Sequence, residues 1–475
     1  MHALNGKAQP QMIFVALGDT EAIGANCYFV KLDGTGLVLD VGVDPNEEGP
    51  ESLPRFELIH RNPDWYIDHA IVTHAHHDHI GALPVLLREF PHVLVHMTRV
   101  TRQLADLLLP ASARLQRRRL QEGRSSYGPL FDEKQLEGYS YLYLTHEPGQ
   151  DFSVTGLRGR SPVRARFYHA GHVLGSAGVL LTHEEDGRRQ RVFYTSDTNL
   201  RPQAIIPGGD YPEEPVDVLI LESTAGADPE AERTTRRLEE ERFGEAVRRV
   251  LDRGGSVLVP AFALGRAQEV LAVIDRLKRE KVLPADVPVY TAGTMRAIAD
   301  LYDRTRFVTP RLDPSFEVFR VEQRRLPRRL EAVRQALAEP AIYVLSSGMM
   351  FERSLSNRMA QLLVEDERHA IFLVGFARED SPAGRLLAAA EAGAEEIVLD
   401  EQRGPQSLRC EVARFRFSGH SHRRDLLRLV ERLQPRHVIL VHGDEDAREW
   451  MADNIQFFYP EVNVWMPRSG EPLEL

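Results

Sequence analysis

The sequence predicts an α/β protein of two domains, one inserted into the other, and three observations carry that prediction. A chain of 475 residues, 43% hydrophobic and 27% charged, exceeds one ordinary core and has the composition of a globular protein, neither fibrous nor broadly disordered. Short β-branched or aromatic runs in the first half switch to Asp, His or Glu at their last residues. From about Arg233 the texture becomes a regular alternation of strand and helix patterns, and after about Gly404 the first texture returns.

Five runs define the first texture: "GLVLDVGVDP" (Gly36 to Pro45), "HAIVTHAHHDH" (His69 to His79), "RARFYHAGH" (Arg164 to His172), "RVFYTSD" (Arg191 to Asp197) and "VDVLILEST" (Val216 to Thr224). Sites in open α/β architectures gather at the carboxyl ends of strands, so these endings are expected to meet on one sheet edge. Between the second and third runs, "TRVTRQLADLLLPASARLQRRRLQEG" has helical apolar spacing, and its basic run Arg117 to Arg119 reads as a solvated helix face. The later alternation, such as "SVLVPAF" followed by "GRAQEVLAVIDRLKRE", is the pattern of a parallel sheet with crossover helices. These textures divide the chain into a discontinuous domain, 1–225 with 404–475, and an inserted domain, 226–403. The basic segment "RVEQRRLPRRL" (Arg320 to Leu330) is expected to be mostly a solvated helix, with tracking of a nucleic-acid backbone as its alternative.

Composition excludes several classes. No stretch reaches the ~18 consecutive apolar residues of a membrane helix. The opening "MHALNGKAQPQ" lacks a basic cluster followed by an apolar core, so the expectation is a cytoplasmic protein. Cys27 and Cys410 are too few to staple the chain, and any metal site must use His and carboxylates. The formal charge of −11 argues mildly against a general polyanion binder. Bound divalent ions would offset that charge locally, and 54 of the 59 basic residues are Arg, which suits bidentate phosphate contacts. Arg-rich codon usage accounts for most of that bias.

The densest chemistry lies in "THAHHDHIGALP" (Thr73 to Pro84). Alternate residues leave a strand end on opposite sides, so the turn can feed two adjacent sites, His74 with His76 and Asp78 with His79. His77 receives no role. Imidazole and carboxylate without thiolate suit zinc, with manganese as the alternative. A histidine-rich capping turn is the bland reading, but so many unpaired histidines and acids would be costly without a metal.

The turn resembles the signature of the metallo-β-lactamase superfamily, which implies an αββα sandwich. Asp40 in "LVLDVG" matches the aspartate that supports the ligand loop from behind, His172 in "AGHVLGSAG" a third histidine, Asp197 in "YTSDTN" the bridging carboxylate and His442 in "VHGD" the last ligand. The resemblance assigns His74, His76 and His172 to one Zn2+, Asp78, His79 and His442 to a second, and Asp197 to both, with Mn2+ as the alternative ion. "LESTAG", "PAFALGRAQEVL", "SSGMM", "FSGHSH" and "LVHGD" resemble, in matching order, the β-CASP nucleases within that superfamily.

That second resemblance places the three family motifs on Glu222, His420 and His442. Glu222 would orient His420, and His420 would face the scissile phosphate as donor or general acid. Asp78 would also aim the attacking water. Ser347, Gly348 and Ser418 are candidates for phosphate contact. The implied activity is hydrolysis of single-stranded RNA; histidine at position 442 favours RNA over DNA. The short run of chain after His442 makes endonuclease action at least as expected as 5′-exonuclease action. A homodimer is compatible with the sequence. A DNA-acting relative, a small-molecule metallo-hydrolase and a silent RNA-processing scaffold are the alternatives. Three departures bear on substrate positioning: His422 where the family has an acid, "MFERSLSNR" in place of a Gly-rich continuation, and "ESTAGADPEAE" without the usual Tyr and basic residue.

Overall fold

The structure is a computed structural model describing residues 12–18, 20, 24–185, 187–327 and 329–475. The segment "MHALNGKAQPQ" and Arg328 lie outside the described residues. The chain divides into two compact units, one comprising the residues up to Leu200, Gly209–Asp228 and His420–Leu475, the other Arg201–Gly208 and Pro229–Gly419.

The first unit holds two seven-stranded sheets. One runs in spatial order Pro472–Glu474, Met12–Ala16, Tyr28–Leu32, Thr35–Leu39, His69–Ile71, Leu94–Thr98, Tyr143–His146. The other runs Asn463–Trp465, His437–Val441, Val218–Glu222, Arg188–Tyr194, Ala177–Glu185, Val163–His169, Asp151–Ser153. In each, one side is antiparallel and the other parallel, and the side chains that concern the site follow the carboxyl ends of strands. The hairpin joining Tyr28–Leu32 to Thr35–Leu39 turns at Asp33 and Gly34, both with positive φ (41° and 81°), which matches the right-handed twist of the flanking strands.

Apolar faces set the layers. Phe14, Tyr28 and Val30 of the first sheet share one core with Phe167, Val179, Ile220 and Ile439 of the second. The first sheet's outer face buries Leu83, Val85 and Leu109 of the helices Leu83–Glu89 and Arg99–Gln121. The second sheet's outer face buries Leu426, Val430, Met451 and Ile455 of the helices Arg423–Leu433 and Glu445–Phe458. The result is the αββα sandwich expected from the resemblance. It also revises the expectation of one sheet edge, because the polar strand endings come from two sheets. Arg117, Arg118 and Arg119 pair with Glu133, Glu122 and Glu48, the solvated helix face that was expected.

The second unit is built on six parallel strands in the order Gln323–Arg325, Val289–Thr291, Ile342–Leu345, Val257–Pro260, Ala370–Leu373, Glu411–Arg414. From sequence, the first domain was expected to resume at residue 404. Glu411–Arg414 instead hydrogen-bonds along Ala370–Leu373, which carries this unit to Gly419. The segment "RVEQRRLPRRL" is likewise not a helix: Gln323–Arg325 pairs with Val289–Thr291, and the helix begins only at Leu330, beyond Pro327. Among the described residues, no helix is long and apolar enough to cross a membrane.

Three adjacent strands of the first sheet carry a row of imidazoles. His69 Nε2 lies 3.5 Å from the Thr155 carbonyl and can only donate to it. Its Nδ1 must therefore accept from His96 Nε2 at 3.1 Å, and His96 Nδ1 from His146 Nε2 at 2.9 Å. The row holds only while His96 and His69 are neutral. Burial, reinforced by the neighbouring imidazoles of His69 and His146, pushes His96 down to about 3. The unfolded chain binds a proton there at about pH 6.5, so this contribution is complete above that pH and is lost as pH falls below it. His96→Gln keeps a donor and an acceptor without titrating. Its urea midpoint should fall less steeply between about pH 6.5 and pH 4 than that of the wild type; parallel profiles would contradict the row.

Candidate metal centre and adjoining histidine

Local backbone geometry concentrates the polar endings in the first unit. Strand His69–Ile71 ends just before Thr73, and His76 caps the single turn His77–Ile80, so four side chains leave a short arc. Opposite this turn, Gly42 is so close that an added Cβ would lie 1.7 Å from the Asp78 carbonyl oxygen, which requires glycine. Asp40, Ser196 and His442 hold φ of 57°, 53° and 51°, a left-handed conformation costly for residues with a side chain. Each follows a strand at the point where its chain turns into the site.

The candidate ligands fall into two groups. In one, His74 Nε2 and His172 Nε2 both approach His76 Nδ1, at 3.1 and 3.2 Å. The same two atoms lie 3.7 and 3.5 Å from Oδ2 of Asp197. In the other, His79 Nε2 and His442 Nδ1 lie 3.2 and 3.0 Å from Oδ1 of Asp197, while Asp78 Oδ2 is 3.7 Å from His79 Nε2 and 3.4 Å from His442 Nε2. The two oxygens of one buried carboxylate thus face one group each. Oδ1 of Asp197 has two nitrogens within 3.2 Å, yet neither is oriented to hydrogen-bond it.

These atoms suit cations better than protons. Burial would raise the Asp197 carboxyl, but the imidazoles of His442, His79 and His172 outweigh it and hold the group well below the usual carboxylate range. Burial pushes His74 well down, helped by the charge of His79. His79 goes the other way: against the effect of burial, Asp197, Asp40 and Asp78 raise it well above its usual value. One histidine of the cluster therefore takes a proton in the space between three acids, and a divalent ion can replace that charge. Burial, then the charge of Asp40, raises the nearby Cys27 thiol well above its ordinary value, leaving the imidazole and carboxylate set that zinc accepts.

Asp40 anchors the arrangement. Its carboxylate accepts from Thr73 N, Thr73 Oγ1, His79 Nδ1 and Tyr194 OH, each at about 2.8–2.9 Å. Accepting from Nδ1 fixes the tautomer of His79 and leaves Nε2 facing Asp197. Asn26 Nδ2 also reaches His79 Nε2 at 3.0 Å, and Tyr28 OH donates to Asn26 Oδ1 at 2.7 Å. Thr73 Oγ1 meets Ser196 Oγ at 2.6 Å, and Thr224 Oγ1 meets His442 Nδ1 at 3.0 Å. Asn26, Ser196, Tyr194 and Thr224 carried no sequence signal. Thr73, adjoining the histidine turn, did.

Glu222 and His420 stand beside this cluster. The wholly buried Glu222 accepts from Thr198 N at 3.0 Å and Thr224 N at 3.2 Å, and both its oxygens lie 3.2 Å from His420 Nδ1. The His420 ring lies 4.6 Å from that of His172. One nitrogen each from His420 and His442 and one oxygen from Asp197 also lie within 4.8 Å of one another, so His420 adjoins the metal candidates. His77 points elsewhere, its Nε2 3.2 Å from Ser112 Oγ. Ser347, Gly348 and Ser418 belong to the second unit, the first two following strand Ile342–Leu345.

Three family models match the chain. Residues 21–217 match the metallo-beta-lactamase superfamily, residues 267–386 the Beta-Casp domain, and residues 406–467 the Zn-dependent metallo-hydrolase RNA specificity domain. The chain belongs to the metallo-β-lactamase superfamily and, within it, to the β-CASP family, a metal-dependent group. It is 27% identical to Endoribonuclease YSH1 of Mycosarcoma maydis across 100% of this chain and 52% of that protein. It is 27% identical to Cleavage and polyadenylation specificity factor subunit 3 of Dictyostelium discoideum across 97% of this chain and 57% of that one. The chain thus spans little more than half the length of these two relatives. An RNase J-like protein of Methanocaldococcus jannaschii is 27% identical across 90% of this chain and 91% of its own. A crystal structure of a protein of unknown function from Enterococcus faecalis V583 shares the fold, with a TM-score of 0.56, 13% identity and coverage of 98% and 100%.

If Asp40 fixes His79, Asp40→Asn should fold yet lower zinc affinity by about 10–100-fold in chelator competition, because a donor then opposes donors. Unchanged affinity would remove Asp40 from this role.

Proposed function

We propose that the chain is a ribonuclease that hydrolyses phosphodiester bonds of single-stranded RNA, using two zinc ions held at adjacent sites, with manganese as the alternative. The observation that carries this is the division of the two Asp197 oxygens between two groups of candidate ligands, beside the Glu222–His420 pair. The names of the relatives support RNA as the substrate: two are named for ribonuclease activity, and the C-terminal match is named for RNA specificity. The RNase J-like relative also favours the cytoplasm as its place of action.

In this reading His74, His76, His172 and Asp197 hold one ion, and Asp78, His79, His442 and Asp197 the other. When bound, the ions would supply a water of lowered pKa, near ~7, and positive charge against the phosphodiester. Asp78, whose carboxyl is held well down by His79 and His442 against the effect of burial, stays an acceptor and can orient the attacking water. Glu222 is itself held by two backbone amides, so it fixes His420 through Nδ1. In this reading His420 Nε2 would donate to the phosphate or protonate the leaving oxygen. Ser347, Gly348 and Ser418 are proposed as phosphate contacts.

Purified protein incubated with 5′-monophosphorylated, 5′-triphosphorylated and circular single-stranded RNA, and with matching DNA, should cut the RNAs. Cleavage of the circle identifies endonuclease action. Activity on DNA with none on any RNA would overturn the substrate assignment. His420→Ala should keep its metal content while losing about 10²–10⁴-fold in kcat, and Glu222→Gln should lose in the same direction. A fully active His420→Ala variant would exclude the proton role.

A further inference from the structure

The second unit contains a concentration of buried positive charge that the proposed chemistry does not use. Its parallel sheet presents the carboxyl ends of Val257–Pro260, Ile342–Leu345 and Ala370–Leu373 along one edge, where ligands of such sheets collect. The loops converge there: a Cβ on Gly348 would meet the Phe262 ring at 2.9 Å, and one on Gly375 would lie 3.7 Å from Phe262 and 3.8 Å from Arg266 Cγ. Arg266 is the first residue of the helix Arg266–Arg279, and Arg236 the first of the neighbouring helix Arg236–Asp252. Both residues therefore start at the positive ends of helix dipoles.

Neither group is fully satisfied. Arg266, only 6% exposed, donates from Nη2 to Gln203 Oε1 at 2.8 Å, and it has no carboxylate within ion-pair distance among the described residues. Its buried Nη1 has no hydrogen-bond partner. Arg236 pairs with Glu240 at 2.6 Å and lies over the Phe417 ring at 4.6 Å, but its buried Nη2 also lacks a partner. Glu240 is shared with Arg276. Glu269, the other acid nearby, is committed to the backbone amides of Ala204, Ile205 and Ile206. Burial, and then the charge of Arg236, pushes Arg266 down to about 10. Two like charges so close, each with an unsatisfied buried nitrogen, are costly unless an anion completes them.

We propose that Arg266 and Arg236 form an anion clamp for a phosphate group at the carboxyl edge of the second unit's sheet. Guanidinium pairs are suited to this ligand, whose oxygens accept several charge-assisted hydrogen bonds at once. The phosphate can be a free ion or a phosphodiester of the RNA; only the second source rests on the function proposed above.

Isothermal titration of the metal-loaded full chain with inorganic phosphate tests the clamp, comparing wild type with Arg266→Gln and Arg236→Gln. Each variant should bind phosphate about tenfold more weakly or worse while keeping its circular dichroism. Arg236, less buried, keeps the test open should Arg266→Gln misfold. A second arm measures anisotropy of a labelled single-stranded RNA in a His420→Ala background with and without each substitution. Loss of RNA affinity assigns the clamp to the RNA backbone, and unchanged RNA affinity with lost phosphate binding assigns it to free phosphate. Phosphate affinity equal in wild type and both variants would overturn the clamp, whatever the chain does to RNA.

Discussion

The buried carboxylate of Asp40 is the constraint on which the site depends. Removed from water, it needs every acceptor position filled, and it obtains donors from two places: the histidine turn through Thr73 and His79, and Tyr194 of the opposite sheet. The same contacts that satisfy Asp40 join the two sheets of the sandwich at their carboxyl edges. They also dictate which nitrogen of His79 faces inward. Fold and site are therefore tied by one group.

A second level of organisation follows. Asp197 rises from the opposite sheet into the space between His74, His172, His79 and His442, and its oxygens divide between them. This disposition fits the two adjacent centres proposed above, and positive charge placed between imidazole and carboxylate would stabilise their dense mixture. Glu222, anchored by amides from two loops, gives the neighbouring His420 a defined orientation through Nδ1.

Much of this was legible in the chain because ligand spacing in a turn is local. His74, His76, Asp78 and His79 lie within six residues, and their alternation predicted two groups before any fold was known. His172, Asp197, Glu222, His420 and His442 were reached through the resemblance, since nothing local links them. Tyr194, Asn26 and Thr224 were illegible because their importance comes from contacts across the sheets. The domain end misread at 404 has the same origin: Glu411–Arg414 has the texture of the first unit but is held by hydrogen bonds to Ala370–Leu373. In "RVEQRRLPRRL" charge density suggested a solvated helix, while pairing with Val289–Thr291 made part of it a strand.

The central claim is that one carboxylate joins two adjacent metal sites. Electron paramagnetic resonance of the chain loaded with two equivalents of manganese(II) tests it most directly. The account predicts an exchange-coupled spectrum that collapses to isolated-ion signals in Asp197→Ala. Two uncoupled manganese signals in the wild-type chain at full loading would contradict it.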